Sequence, residues 1–156
     1  MSGIVSGIGS KSGILLKPEI AYEEGTFAIQ FASSGGGGTY GMNAGHNTGY
    51  YTKIGKVVTF NISARLSSFS APTDAGSLIL NSLPFAVNNT TAGRAGGGLG
   101  VSAGEPANGA MSWYCLPNTT TIYFGNRNTN SYWQTIDRDK GSSSMQLDFS
   151  GSYVAA

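Results

Sequence analysis

Charge is what this sequence has least of. Asp, Glu, Lys and Arg together supply 11% of its residues, against roughly 25% in an average domain. The nine cations and eight anions nearly cancel, to a formal net charge of +1. No two Lys or Arg residues are adjacent. A phosphate-binding surface needs clustered cations, so nucleic acid is not an expected partner. Apolar runs are short as well. No stretch approaches 18 apolar residues, so no membrane-spanning helix and no membrane partner are expected. The opening Met-Ser-Gly-Ile-Val has no basic segment leading into an apolar core, so synthesis in a cytosol is expected. Cys115 is the one cysteine, which excludes an internal disulfide. It lies in the apolar run Trp113-Tyr114-Cys115-Leu116 and is read as a small buried hydrophobe.

Glycine is abundant, at 24 residues, and Ser, Thr and Asn fill much of the rest. Hydrophobic residues at 40% and aromatics at 11% are enough for a packed core in one domain. A surface with few charges costs little to desolvate, which suits burial against other chains. It also suits a plain uncharged β protein.

Residues 1–20 differ from the remainder. Ser-Gly-Ile occurs at Ser2-Gly3-Ile4, Ser6-Gly7-Ile8 and Ser12-Gly13-Ile14. Glycine at that density disfavours helix. The segment is read as an extended arm whose Ile4, Val5, Ile8, Ile14 and Leu15 dock on a partner, or as a loose tail. Residues 21–156 are read as one β domain.

Within that domain the period is two. Phe27, Ile29 and Phe31 share one face. Val58, Phe60, Ile62, Ala64 and Leu66 alternate with Thr59, Asn61, Ser63 and Arg65. Leu78 and Leu80, Ile122 and Phe124, and Met145, Leu147 and Phe149 continue the pattern. Ile54-Gly55-Lys56 reads as a tight turn. Ser33–Gly38 and Ala95–Gly100 read as loops, the second alternatively as a weak strand lying close to other backbone. No window carries a helical stripe. The expectation is an all-β, jelly-roll-like sandwich of about eight antiparallel strands.

A search for chemistry finds no catalytic residues, metal ligands or cofactor motif. His46, the one histidine, sits in a loop-like stretch without a recognisable nucleophile or orienting partner. Asp137 and Asp139 would share a strand face, but the calcium-loop spacing is absent. Gly98-Leu99-Gly100 and Gly49–Lys56 both miss the phosphate-loop spacings. The triplets at Asn61, Asn88, Asn89 and Asn118 have glycosylation form only. Between Tyr123 and Trp133 the chain is rich in aromatics and amides. Tyr123, Arg127, Asn128, Tyr132 and Trp133 would suit a glycan contact, a protein interface, or an ordinary loop with packed rings.

Three segments, in order, resemble a domain that recurs in tailed-phage virion proteins: Tyr50–Phe60, Leu78–Phe85 and Met145–Tyr153. The Ser-Gly-Ile opening with Gly9-Ser10-Lys11-Ser12 also resembles the start of short phage structural proteins, cyanophage ones included. The resemblance implies a trimeric jelly roll without enzymatic activity or cofactor, carried on the virion and assembled in the host cytoplasm. It implies either a head decoration (cement) protein on the major capsid protein lattice or a fibre tip that contacts host glycans. The short arm and the lack of a repetitive shaft favour decoration. A lectin or carbohydrate-active enzyme outside any virus is the third expectation, weakened by the lack of an acid–base pair.

Overall fold

The structure, a computed structural model, describes residues 21–71, 73, 76–90, 94–103, 111–127, 133–135 and 142–156. At 101–103, 111, 126–127 and 133–135 only the backbone is described. Twelve strands run through the described residues, with no helix among them. They are β1 (Tyr22–Ala28), β2 (Gln30–Ser33), β3 (Thr39–Met42), β4 (Thr48–Ile54), β5 (Val57–Ser70) and β6 (Leu78–Asn81). The others are β7 (Ala95–Gly98), β8 (Gly100–Ala103), β9 (Met111–Cys115), β10 (Thr121–Arg127), β11 (Trp133–Thr135) and β12 (Gln146–Val154).

The strands form two sheets. The first has the order β1-β4-β5-β12-β8, with β3 on the far end of β5. The second has the order β2-β6-β10-β9-β7, with β11 on β10. Every pairing is antiparallel. Pairs nest along the chain: β5 with β12, β6 with β10, β7 with β9. The all-β sandwich expected from the alternation is what the chain forms.

The strand number exceeds the expected eight for physical reasons. The run Thr26–Phe31 is read from sequence as one strand, but it breaks at Ile29: β1 pairs with β4 in the first sheet and β2 with β6 in the second. The core lies between the sheets, so Phe27, Ile29 and Phe31 all stay buried while the chain crosses over. Alternation reports burial, not which sheet a residue belongs to. The glycine segment at 95–98 is also a strand. A Cβ on Gly96 would lie 2.8 Å from the Trp113 carbonyl oxygen, so bare backbone permits the pairing of β7 with β9. Of the expected loop Ser33–Gly38, Ser33 ends β2 and residues 34–38 form the loop, with Gly36, Gly37 and Gly38 all at positive φ. Gly55, φ 60°, opens the two-residue turn between β4 and β5, a position where a side chain would be strained.

Aromatic rings bridge the two sheets. Phe60 and Phe149 from the first meet Trp113 from the second, with centroids 5.2 and 5.9 Å away. Phe124 stands edge-on to Phe149 at 5.9 Å and reaches Phe31 at 6.1 Å. Such contacts add about 0.5–1.5 kcal/mol each beyond the area they bury. Cys115 is fully buried, as expected, and burial pushes its thiol above the ordinary range. That keeps it protonated and a poor nucleophile.

Tyr153 closes one end of the core. Its hydroxyl donates to the Phe85 carbonyl at 2.9 Å and accepts from the Phe85 N–H at 3.3 Å. Burial raises this phenol well above its usual value of 10.0. The folded state therefore holds the proton more tightly than the unfolded chain. Its contribution to stability is complete below about pH 10 and is lost as the pH rises toward the folded value. Thermal melts should show stability falling above about pH 10. Tyr153→Phe should cost roughly 1 kcal/mol at neutral pH and flatten that alkaline slope. A slope unchanged in the variant would assign the alkaline loss to other groups.

Candidate functional site

The pairing registers build one broad surface. Side chains directly opposite each other in an antiparallel pair share a face. On β5, Val58, Phe60, Ile62 and Ala64 point into the core, so Val57, Thr59, Asn61, Ser63 and Arg65 point outward. Register then assigns the rows of the outer face. Tyr22, Ile54, Val57 and Val154 form the first row. Glu24, Thr52, Thr59 and Ser152 form the next, and Thr26, Tyr50, Asn61 and Ser150 the third. Ala28 and Thr48 pair with each other on this face, as do Ser63 and Asp148, and Arg65 and Gln146.

The chemistry of this face is hydroxyl, amide and apolar. Glu24, Asp148 and Arg65 are its charges in those rows, and all three lie toward its margins. Thr59 and Ser152 hydroxyls are hydrogen-bonded at 2.9 Å across the strands. Tyr50 is 64% exposed in the middle of the face. The first row is apolar throughout, with Tyr22 62%, Ile54 52%, Val57 49% and Val154 39% exposed. These four are consecutive cross-strand neighbours, so the apolar surface is continuous across β1, β4, β5 and β12. Sequence inspection sees the individual residues but cannot align them, because the alignment is made by three strand registers.

His46 lies at the far margin of the same face. In sequence it reads as a lone loop histidine. The fold instead sets its Nδ1 3.0 Å from the Ser63 Oγ. The Gln146 amide donates to the Asp148 carboxylate at 3.2 and 3.3 Å and approaches the Ser63 Oγ at 3.5 Å. A shallow depression lined by Gly45, Thr48, Tyr50, Asn61 and Ser63 opens beside the pair. A serine–histidine pair acquires nucleophilic chemistry when a third group orients the imidazole and donors await an oxyanion. Among the described residues, the hydrogen bonds around His46 supply neither. The arrangement is a polar network that orders the surface.

The opposite face of the molecule carries aromatic rings. Tyr123, a candidate from the sequence, points outward from β10 between the buried Ile122 and Phe124. It pairs in register with Tyr114, and the two rings stack at 5.1 Å with 32° between their planes. A hollow of about 490 Å³ lined by Arg94, Trp113, Tyr114 and Leu116 adjoins them. Arg127 and Trp133 pair in register at the end of the β10–β11 hairpin. Asn128 and Tyr132 lie outside the described residues, as do Ile4, Val5, Ile8, Ile14 and Leu15 of the arm and Asp137 and Asp139. Among the described residues, no group of three or more His, Cys, Asp or Glu side chains could hold a metal.

No protein-family model matches the chain, and no curated protein sequence matches it.

Proposed function

We propose that the protein is a non-enzymatic virion structural protein. In this reading it is a trimeric jelly-roll-type decoration (cement) protein that binds the major capsid protein lattice and stabilises the head. The observation that carries the reading is the outer face of the first sheet. It is wide, nearly uncharged in its centre, rich in Thr, Ser, Asn and Tyr, and bordered by an apolar row. Uncharged polar groups lose little on desolvation and can re-pair across an interface, and exposed Tyr is favoured at interface centres. A protein repeated on a lattice needs such surfaces. The arm residues Ile4, Val5, Ile8, Ile14 and Leu15 add a second means of attachment.

A second reading, a receptor-binding fibre tip, draws on the stacked Tyr114–Tyr123 pair beside Arg94. Aromatic faces next to a cation are suited to sugar rings that carry acidic groups.

Location and copy number separate the two. Cryo-electron microscopy of particles containing the protein should find it repeated over the head lattice in register with the capsid subunits. Density confined to the tail, with strong glycan-array binding lost in Tyr123→Ala, would replace decoration with the tip. Particles that lack the protein altogether would overturn both.

A further inference from the structure

Tyr114 of β9 and Tyr123 of β10 are directly opposite in the strand register. Side chains at such a pair leave the sheet on the same face, with Cβ atoms about 5 Å apart. The two rings keep that spacing out to the side-chain ends, with centroids 5.1 Å apart and 32° between their planes. Ring carbons are then in van der Waals contact. The other ring contacts of tyrosine among the described residues are with phenylalanine: Tyr40 meets Phe69, Tyr51 meets Phe27 and Phe85, and Tyr153 meets Phe60. Tyr22 and Tyr50 are exposed in separate rows of the first sheet.

Two phenols in contact have a chemistry that a phenol beside a phenylalanine lacks. A one-electron oxidant takes an electron from a tyrosine, and the hydroxyl proton goes to water. The phenoxyl radical left behind shares its spin with the ring carbons ortho to the oxygen. Two such radicals combine through those carbons. One Cε–Cε bond forms, and each ortho hydrogen moves to the oxygen of its own ring, restoring both hydroxyls. The net change is two electrons passed to the oxidant and two protons to water.

The fold provides what this coupling needs. Both strands have a neighbour on each side, β6 and β9 for β10, β10 and β7 for β9, so the ring pair sits on backbone that cannot drift apart. Fixed proximity spares the radicals a diffusional search. The next register pair on the same face is Ser112 and Gly125, and neither puts a bulky side chain against the rings. The two rings are only half-buried, within reach of a small oxidant. Trp113 and Cys115, the other oxidisable side chains described on β9, are buried in the core.

We propose that Tyr114 and Tyr123 are an oxidation-set staple. A diffusible one-electron oxidant couples them to a dityrosine that ties β9 to β10 within one chain. With one cysteine the chain can make no internal disulfide, and this pair offers a different covalent cross-link. Like a disulfide, it would act by restricting the unfolded chain. It uses no residue of the first sheet's outer face and does not depend on the virion reading.

Visible-light oxidation with tris(bipyridine)ruthenium and persulfate tests the staple on the full-length chain, kept dilute so that coupling between molecules is rare. The monomer should gain dityrosine fluorescence and lose the mass of two hydrogen atoms. Digestion should recover a linked peptide that holds Tyr114 and Tyr123, a result that does not depend on how any variant folds. Tyr114→Phe and Tyr123→Phe keep the rings but remove a phenol, so each should lower the monomer's dityrosine by about tenfold, a floor for the advantage of fixed proximity. Tyr22→Phe combined with Tyr50→Phe should leave it unchanged. Unfolding the parent chain in urea should lower its yield, because the register no longer holds the rings together. Dityrosine confined to covalent dimers, a monomer signal that survives Tyr123→Phe, or a yield indifferent to unfolding overturns the proposal.

Discussion

Gly151→Ala is expected to destabilise the fold by about 3 kcal/mol, the upper range for overpacking a well-filled core. For a chain of this size that lowers the melting temperature by roughly 6–12 °C. Gly151 lies on the inner face of β12, opposite Phe60. An alanine Cβ there would stand 2.1 Å from Trp113 Cζ2 and 2.5 Å from Cη2, with Phe60 Cζ at 3.2 Å. The obstacle is the rigid end of an indole, not a flexible tip. Gly97 of β7 leaves room for the same ring, since a Cβ there would lie 3.0 Å from Nε1 and 3.3 Å from Cζ2. Two glycines from different sheets thus make the slot that lets one large ring span the sandwich. The indole N–H is buried and finds no acceptor among the described residues. Leaving such a donor unpaired costs about 1–3 kcal/mol. The design therefore invests in ring volume over hydrogen bonding. Trp113→Phe removes both the clashing carbons and the unpaired donor. It should cost stability alone but rescue Gly151→Ala, so that the double variant is more stable than the sum of the singles by more than 1 kcal/mol. Additive losses in chemical denaturation would mean that the indole is not what Gly151 accommodates.

The slot illustrates what could and could not be read from the residues. The inward positions Val58–Leu66 of β5 and Leu147 and Phe149 of β12 were legible because burial imposes period two and these runs obey it. Cys115 was legible as buried from the apolar run Trp113–Leu116 around it. The role of Gly151 was hidden, since a glycine inside an alternating run also reads as a turn or bulge. Only the opposing sheet explains it. The break at Ile29 was hidden because a residue that crosses between sheets stays in the same core. The approach of His46 to Ser63 depends on a loop folding over β5, which leaves no local pattern. The apolar row was invisible for a different reason. Tyr22, Ile54, Val57 and Val154 are scattered along the chain, and singly exposed hydrophobes mean little. What joins them is cross-strand register, a property of pairing.

Asn61→Asp should separate assembly from folding more sharply than any other single change. Asn61 is exposed at the centre of the outer face, opposite Tyr50 on one side and Ser150 on the other. Its replacement is nearly isosteric and touches no core residue, so stability should stay within about 0.5 kcal/mol of the parent. If this face is buried against a neighbour, the new carboxylate must lose its water with no cation opposite it. An uncompensated buried charge costs about 3 kcal/mol or more, which is a loss of binding of roughly 100-fold. Asparagine avoids this cost because its amide can both donate and accept across an interface. Thr120→Asp adds the same charge at an exposed site on a connecting loop and should leave both stability and particle binding unchanged. The comparison is made by melting each variant and by titrating it onto particles stripped of the protein. A face that served only to keep the domain in solution would gain from the added charge, since carboxylates improve solubility. Retained binding by Asn61→Asp would thus move the interface elsewhere on the molecule, with the Tyr114–Tyr123 face as the next surface to test.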